Sequence, residues 1–275
     1  MSPGCFSQQP ALPVTFRDEA GIRIHDVAVL SPSRLLVSDS TNGTLRLVDS
    51  VNGGVLSHVC LSCATHGVCV LQDSRVAVTQ LGRQKIQFIR VDGDTLSLNK
   101  SISVKGPVIG ISACGSHLVV TYEGYDELDG VETITVDGRV IDKMNNEKAG
   151  KQVFEYPYYI ATTSNGNIFV SDSGTCTIIQ MDRTLRITRT FTSPMLKQPF
   201  GIVSVSTDQL LVADQEGNSI VVLNTTNDTV TPLLGRTDGI QKPQAVAWCP
   251  ASKKLYVGSD KRQSTLSVFE VRNEH

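Results

Sequence analysis

Four candidate soft ligands fall at every third position in Cys60, Cys63, His66 and Cys69, donors of the kind that zinc prefers. Zinc sites usually hold two close ligand pairs separated by a long gap, and no such gap is present here. The chain around Cys69 also reads as a strand, in which alternate side chains point apart and four ligands cannot meet at one ion. The expectation is packed, reduced thiols and no bound metal. A second set is Asp39, Asp172 and Asp214, each ending an apolar run in LLVSD, IFVSD or LLVAD. They could form a ring of carboxylates. A short Asp side chain also accepts hydrogen bonds from the backbone of the turn it opens, and its recurrence at one repeat position favours that structural role.

A third set follows the first residue of each repeat: His25, His66, Pro107 or Val108, Tyr158, Phe200 and Gln244. Imidazoles, aromatics and an amide brought to one place make a surface that can stack and hydrogen-bond, as recognition surfaces do. The alternative is that Tyr158, Tyr159 and Phe200 wedge between neighbouring sheets. Four bases, Arg83, Lys85, Lys261 and Arg262, and the strand-end residue Tyr122 are expected on the same side. The loops on that side hold ten acids against those four bases, five of the acids in a lobe between positions 123 and 132. A non-specific nucleic-acid surface should be basic over most of its footprint, and this one is mixed.

What must position these residues is a pattern that occurs six times. Its lead residues are Ile24, Thr65, Pro107, Pro157, Pro199 and Pro243, and its strand ends are Asp39, Gln80, Tyr122, Asp172, Asp214 and Ser259. Lead and end lie 15 residues apart five times and 16 once, and the pattern recurs after 41, 42, 50, 42 and 44 residues. That is the period of a four-stranded sheet which buries its faces by stacking on its neighbours. The runs LLVSD, VAVTQ, LVVTY, IFVSD, LLVAD and LYVGS are β-branched and too short for helices. Alternating strands such as TLRLVD and SIVVLN follow, then turns such as VNGG and VDGD, then a third apolar run. The fold class is therefore all-β, a six-bladed β-propeller of four-stranded antiparallel blades.

After Val271 only four residues remain, too few for an outer strand of the sixth blade. The N-terminal strand Val14-Thr15-Phe16 is expected to supply it, closing the ring and removing two exposed edges. Residues 1 to 10 lack periodicity and are expected to be a flexible tail, with residues 11 to 275 forming one domain.

All-β rings of this length commonly form one domain, and 275 residues with a formal charge of −2 suit a soluble module. Residues 50 to 72 lack formal charge but carry Asn52, His58 and His66, so buried strands are expected there and not a membrane span. No cleavable leader is expected, and seven scattered cysteines suit a reducing cytoplasm.

PFGIVSV with LLVADQEGNSIVVLN, PQAVAW, YIATTSNGNIFVSDSGTCTIIQMD and HDVAV with LLVSDSTNGTLRLVD together resemble the NHL-repeat propellers. The resemblance covers residues 12 to 271; units two and three depart from it, with Gln80 and Tyr122 at the aspartate position. It implies a recognition domain like those at the C-termini of tripartite-motif ubiquitin ligases, which capture targets or RNA for a RING domain. No RING spacing occurs in this chain. The resulting expectation is a monomeric, non-catalytic module without cofactor or metal. It binds a protein partner through His25, His66, Arg83, Lys85, Tyr122, Tyr158, Phe200, Gln244, Lys261 and Arg262. The alternatives are RNA binding at the same place, with the four bases on phosphate, and a lactonase-like hydrolase; the latter needs converging acid and amide oxygens that the lead positions do not offer.

Overall fold

The structure, a computed structural model, describes residues 6–15, 21–71, 75–123 and 129–271. Six four-stranded antiparallel sheets account for the strands among them, with one short α-helix at Asn146–Ala149 and 3-10 turns at Leu81–Arg83 and Arg236–Asp238. The inner strands are Ile24–Ser31, Thr65–Val70, Val108–Cys114, Pro157–Thr162, Pro199–Ser204 and Pro243–Cys249, in blades one to six. Each touches the inner strand of the blade before and after it, and the sixth touches the first, so the ring is closed. Six apolar clusters fill the six seams between neighbouring blades. One sets Leu36, Leu45 and Val59 of blade one against Val68, Val76 and Ile89 of blade two. Another sets Phe169 and Phe191 of blade four against Ile202 and Val212 of blade five.

The repeat register is reproduced residue by residue. Ile24 pairs with Asp39, Thr65 with Gln80, Pro157 with Asp172, Pro199 with Asp214 and Pro243 with Ser259. Blade three is displaced by one: Val108, not Pro107, pairs with Tyr122. In every blade the ladder is interrupted immediately after this first pair, between Ile24 and Asp26 in blade one and between Pro243 and Ala245 in blade six. A bulge bends the strand and re-aims a side chain. Here it turns the residue after the lead residue toward the axis.

The closing strand differs from expectation. Phe6–Pro13 pairs antiparallel with Thr265–Val271, from Phe6 opposite Val271 to Pro13 opposite Thr265. Val14 lies beyond the strand, though its N–H still reaches the Ser264 carbonyl at 2.9 Å, and Phe16 lies outside the described residues. Residues 6 to 10, expected in a flexible tail, belong to this strand. Their side chains lack strict alternation because the strand is outermost and bulged between Gln9 and Leu12; Phe6 and Leu12 are nevertheless buried. One buried anchor at each end takes the place of a repeating pattern.

Candidate functional site

The strand-end aspartates are turn holders. Asp39 accepts from the Thr41 and Asn42 N–H groups and forms a buried ion pair with Arg46 at 3.1 Å. Asp172 accepts from the N–H groups of Glu155 and Tyr156, and Asp214 from those of Lys197 and Gln198. In both blades the aspartate therefore fixes the segment leading into the inner strand. The residue after the strand end is tied to the same segment: Ser40, Ser173, Gln215 and Asp260 donate their N–H groups to the carbonyls of Arg23, Tyr156, Gln198 and Lys242.

One residue before the strand end in blades one to four, a hydroxyl joins blade to blade; blades five and six have Ala213 and Gly258 there. Ser38 Oγ donates to the His66 carbonyl at 2.7 Å, Thr79 Oγ1 to Ile109 at 2.6 Å, Thr121 Oγ1 to Tyr158 at 3.1 Å and Ser171 Oγ to Phe200 at 2.5 Å. These acceptors are the residues that follow the lead residues. In blade three that residue is Ile109, and neither Pro107 nor Val108 occupies the position. The displaced register accounts for the change. Glycine packs beside these carbonyls: a Cβ at Gly67, Gly110 or Gly201 would lie 2.5–2.6 Å from the carbonyl oxygen of Ile109, Tyr158 or Gln244.

So held, His25, His66, Tyr158, Phe200 and Gln244 converge on a cavity of about 300 Å³ at the upper mouth of the central channel. They are its floor more than an exposed rim, since His25, Phe200 and Gln244 are buried and Tyr158 and His66 half-buried. Tyr159 makes them so. It reaches across the axis from blade four to the opposite blade one, where its hydroxyl donates to the His25 carbonyl at 2.5 Å and lies 2.9 Å from His25 Nδ1. The Tyr159 and His25 rings stack at 5.5 Å, His66 meets His25 edge-on at 4.0 Å, and Phe200 stacks on Tyr158 at 5.1 Å. Below this aromatic layer the channel widens to a cavity of about 430 Å³, with Asp26 in its wall.

The wall of the upper cavity is a second ring, formed by the residues after the strand ends: Ser40, Leu81, Glu123, Gln215 and Asp260. Arg23 completes it and faces Asp260 at 3.7 Å. Reading one position beyond each strand end would have found this ring by the same repeat arithmetic. Of the other residues expected here, Arg83, Lys261 and Arg262 are exposed and outside the cavity lining; Lys85, half-buried at the start of the next strand, is outside it too. Tyr122 is buried in the seam between blades two and three, because its aromatic ring takes the strand-end place of an aspartate and packs with Val108 and Ile111. Its hydroxyl lies beside buried Glu132, which pairs with Lys105. Residues 124 to 128 of the acidic lobe are outside the described residues.

Burial sets the charge state of the floor. His25 is pushed well below the ordinary imidazole value by desolvation, then by His66 and Arg23; desolvation takes His66 down to about 4. Both are neutral at pH 7. Desolvation raises Glu123, opposed by the Tyr158 hydroxyl, which donates to its carboxylate at 3.4 Å. Asp26 is raised to about 7 by burial, opposed by the Val68 and Val27 N–H groups that donate to it. The cysteine cluster does not gather at one point: Cys60 is exposed at an outer strand end, Cys63 lies in the following loop and Cys69 is buried in a seam. Among the described residues no three acid, cysteine or histidine side chains converge as metal ligands would.

No known protein-family profile matches this sequence, and no curated protein matches it significantly. Solved structures do resemble its fold. A catalytically inactive histidine-to-alanine variant of virginiamycin B lyase from Staphylococcus aureus, solved with quinupristin, superposes with a TM-score of 0.66 at 16% identity, over 98% of this chain and 90% of the lyase. A chain of a nidogen/laminin complex gives 0.68 at 14% identity, over 88% of this chain and 96% of its own. The WD40 propeller domain of Doa1 gives 0.64 at 11% identity, over 98% of each chain. These likenesses agree with the propeller fold, whose six blades are this chain's own six sheets.

Proposed function

We propose that this propeller is a non-catalytic recognition module that binds a protein partner at the upper mouth of its channel. The observation that carries this reading is the two-tier mouth. An aromatic floor of His25, Tyr158, Tyr159 and Phe200 is surrounded by the polar and charged side chains of Arg23, Ser40, Glu123, Gln215 and Asp260, with Leu81 among them. Apolar anchors inside a polar rim are the arrangement that concentrates binding energy at protein interfaces. The NHL-like repeat extends the proposal to a cytoplasmic, substrate-recruiting part of a tripartite-motif type of ubiquitin ligase, and the propeller in the nidogen/laminin complex is consistent with protein recognition by this fold. The lyase neighbour supports an enzymatic reading less well, because His25 is engaged by the Tyr159 hydroxyl and desolvation weakens both imidazoles as bases.

The test is photocrosslinking in cells with a benzophenone amino acid at Ser40, on the mouth, or at Asp208, in the exposed turn at the opposite end of blade five. A protein adduct from Ser40 that is absent from Asp208 is expected. An adduct from Ser40 that nuclease digests would replace the proposal with RNA binding at the same surface. Adducts from Asp208 alone would move recognition to the other face.

A further inference from the structure

Hydrogen-bond acceptors dominate the mouth. Gln244 is 5% exposed, and its Oε1 has no hydrogen-bond partner. Its amide is oriented by the neighbouring tyrosine: the Tyr159 hydroxyl proton goes to the His25 carbonyl, so the tyrosine oxygen is free to accept from the Gln244 amide nitrogen. That leaves Oε1 buried without a donor, on a residue that lines the cavity. His66 Nδ1 is likewise buried without a partner. Glu123 receives only the long bond from Tyr158, and Asp260 is engaged by Arg23 at 3.7 Å, with both groups of that pair partly exposed. A buried polar atom without a partner is costly in a finished protein, and two of them at one cavity mark a place where a ligand completes the bonding. Arg23, Glu123 and Asp260 sum to one negative charge, and the neutral imidazoles add none.

We propose that the mouth takes a single basic side chain of the protein partner, an alkyl cation carrying several N–H donors, as in arginine or lysine. The ion sits between the Glu123 carboxylate and Gln244 Oε1, and its aliphatic stem lies on Tyr158. A cavity of about 300 Å³ is at the small end of ligand sites and suits one inserted side chain. Charge-assisted bonds to a carboxylate are stronger than neutral ones, and a cation beside an aromatic ring gains further. The proposal rests on protein recognition at this face and adds the chemistry of the group recognised.

The experiment titrates the labelled protein with acetylated five-residue Gly/Ser peptides that carry arginine, lysine, citrulline or norleucine at the centre, followed by backbone amide shifts. The arginine or the lysine peptide should shift the amides of Glu123, Phe200 and Gln244 saturably; the stronger of the two identifies guanidinium or ammonium as the preferred ion. Citrulline, which keeps the shape and loses the charge, should bind at least about tenfold more weakly. Glu123→Gln should weaken the cationic peptide by a similar factor with an unchanged melting temperature, and Gln244→Met gives a second variant that removes the amide acceptor. Equal binding of citrulline, shifts confined to other faces, or no response to either cation overturns the proposal. A Ser40 protein adduct without any peptide response removes only the basic side chain, whereas failure of protein recognition would be read from the adducts themselves.

Discussion

At the residue scale, the buried groups at the axis make a pH-dependent prediction. Asp26 is raised to about 7 from an ordinary value of 3.8, so between these pH values the folded chain binds more protons there than the unfolded chain, and its contribution to stability falls as pH rises from about 4 to about 7. His25 and His66 are lowered, so their contribution runs the other way, lost as pH falls from about 6.5 toward 4. Replacing Asp26 with Asn removes the first slope alone. The melting temperature of Asp26→Asn relative to the parent should therefore rise from pH 5 to pH 8, and a constant difference would show that Asp26 does not titrate as its burial requires. The sequence made the floor legible and the wall not. His25, Tyr158 and Gln244 stand out as unusual side chains at a repeat position, whereas Ser40, Gln215 and Asp260 look like ordinary loop residues until the strand-end turn is seen to point them at the axis. Tyr122 lies in a seam and not at the mouth because an aromatic at that position packs between blades, whereas the aspartates there hydrogen-bond to the turn or the lead-in segment.

At the scale of the element, the hydroxyl before the strand end in blades one to four is the joint that sets each of them against the next. Thr79 illustrates it, accepting from the Gly67 N–H at 2.8 Å and donating to the Ile109 carbonyl of blade three. Thr79→Val keeps the volume and strands both partners in a dry seam, so it should cost about 1–3 kcal/mol in chemical unfolding. The same change at exposed Thr188 should stay within about 0.5 kcal/mol. Equal effects at the two sites would remove the joint from the account. Strand existence and register were legible throughout blades one, two and four to six, because β-branched runs stop at a fixed distance from the lead residue. The bulge was not legible, since nothing in the residue types after Ile24 or Pro157 distinguishes a bulged ladder from a regular one; it arises in the pairing of neighbouring strands.

At the scale of the whole molecule, the ring depends on a strand from one end of the chain completing a sheet built from the other. Phe6 is 5% exposed and meets Trp248 edge-on at 6.2 Å, within the seam between blades five and six. Phe6→Ala should cost about 3–5 kcal/mol, and deletion of residues 1 to 13 should destabilise the ring more than that single change. A deletion that melts with the full chain would assign closure elsewhere. Six blades and their order follow from the repeat alone, but the closing strand lacks a repeat to align with, and its position is set by tertiary pairing. The mouth then inherits its rigidity from the ring, and the account stands on that mouth being a place of contact and not only a plug. Tyr158 is the residue that separates the two, because it is a half-buried member of the floor that takes no part in the Tyr159 crossing. The most direct measurement is therefore the yield of the Ser40 protein adduct in Tyr158→Ala beside its melting temperature. Recognition at the mouth predicts a loss of roughly five-fold or more in adduct, equivalent to about 1–3 kcal/mol of contact energy, with a folded protein. An undiminished adduct from a folded Tyr158→Ala protein would contradict it.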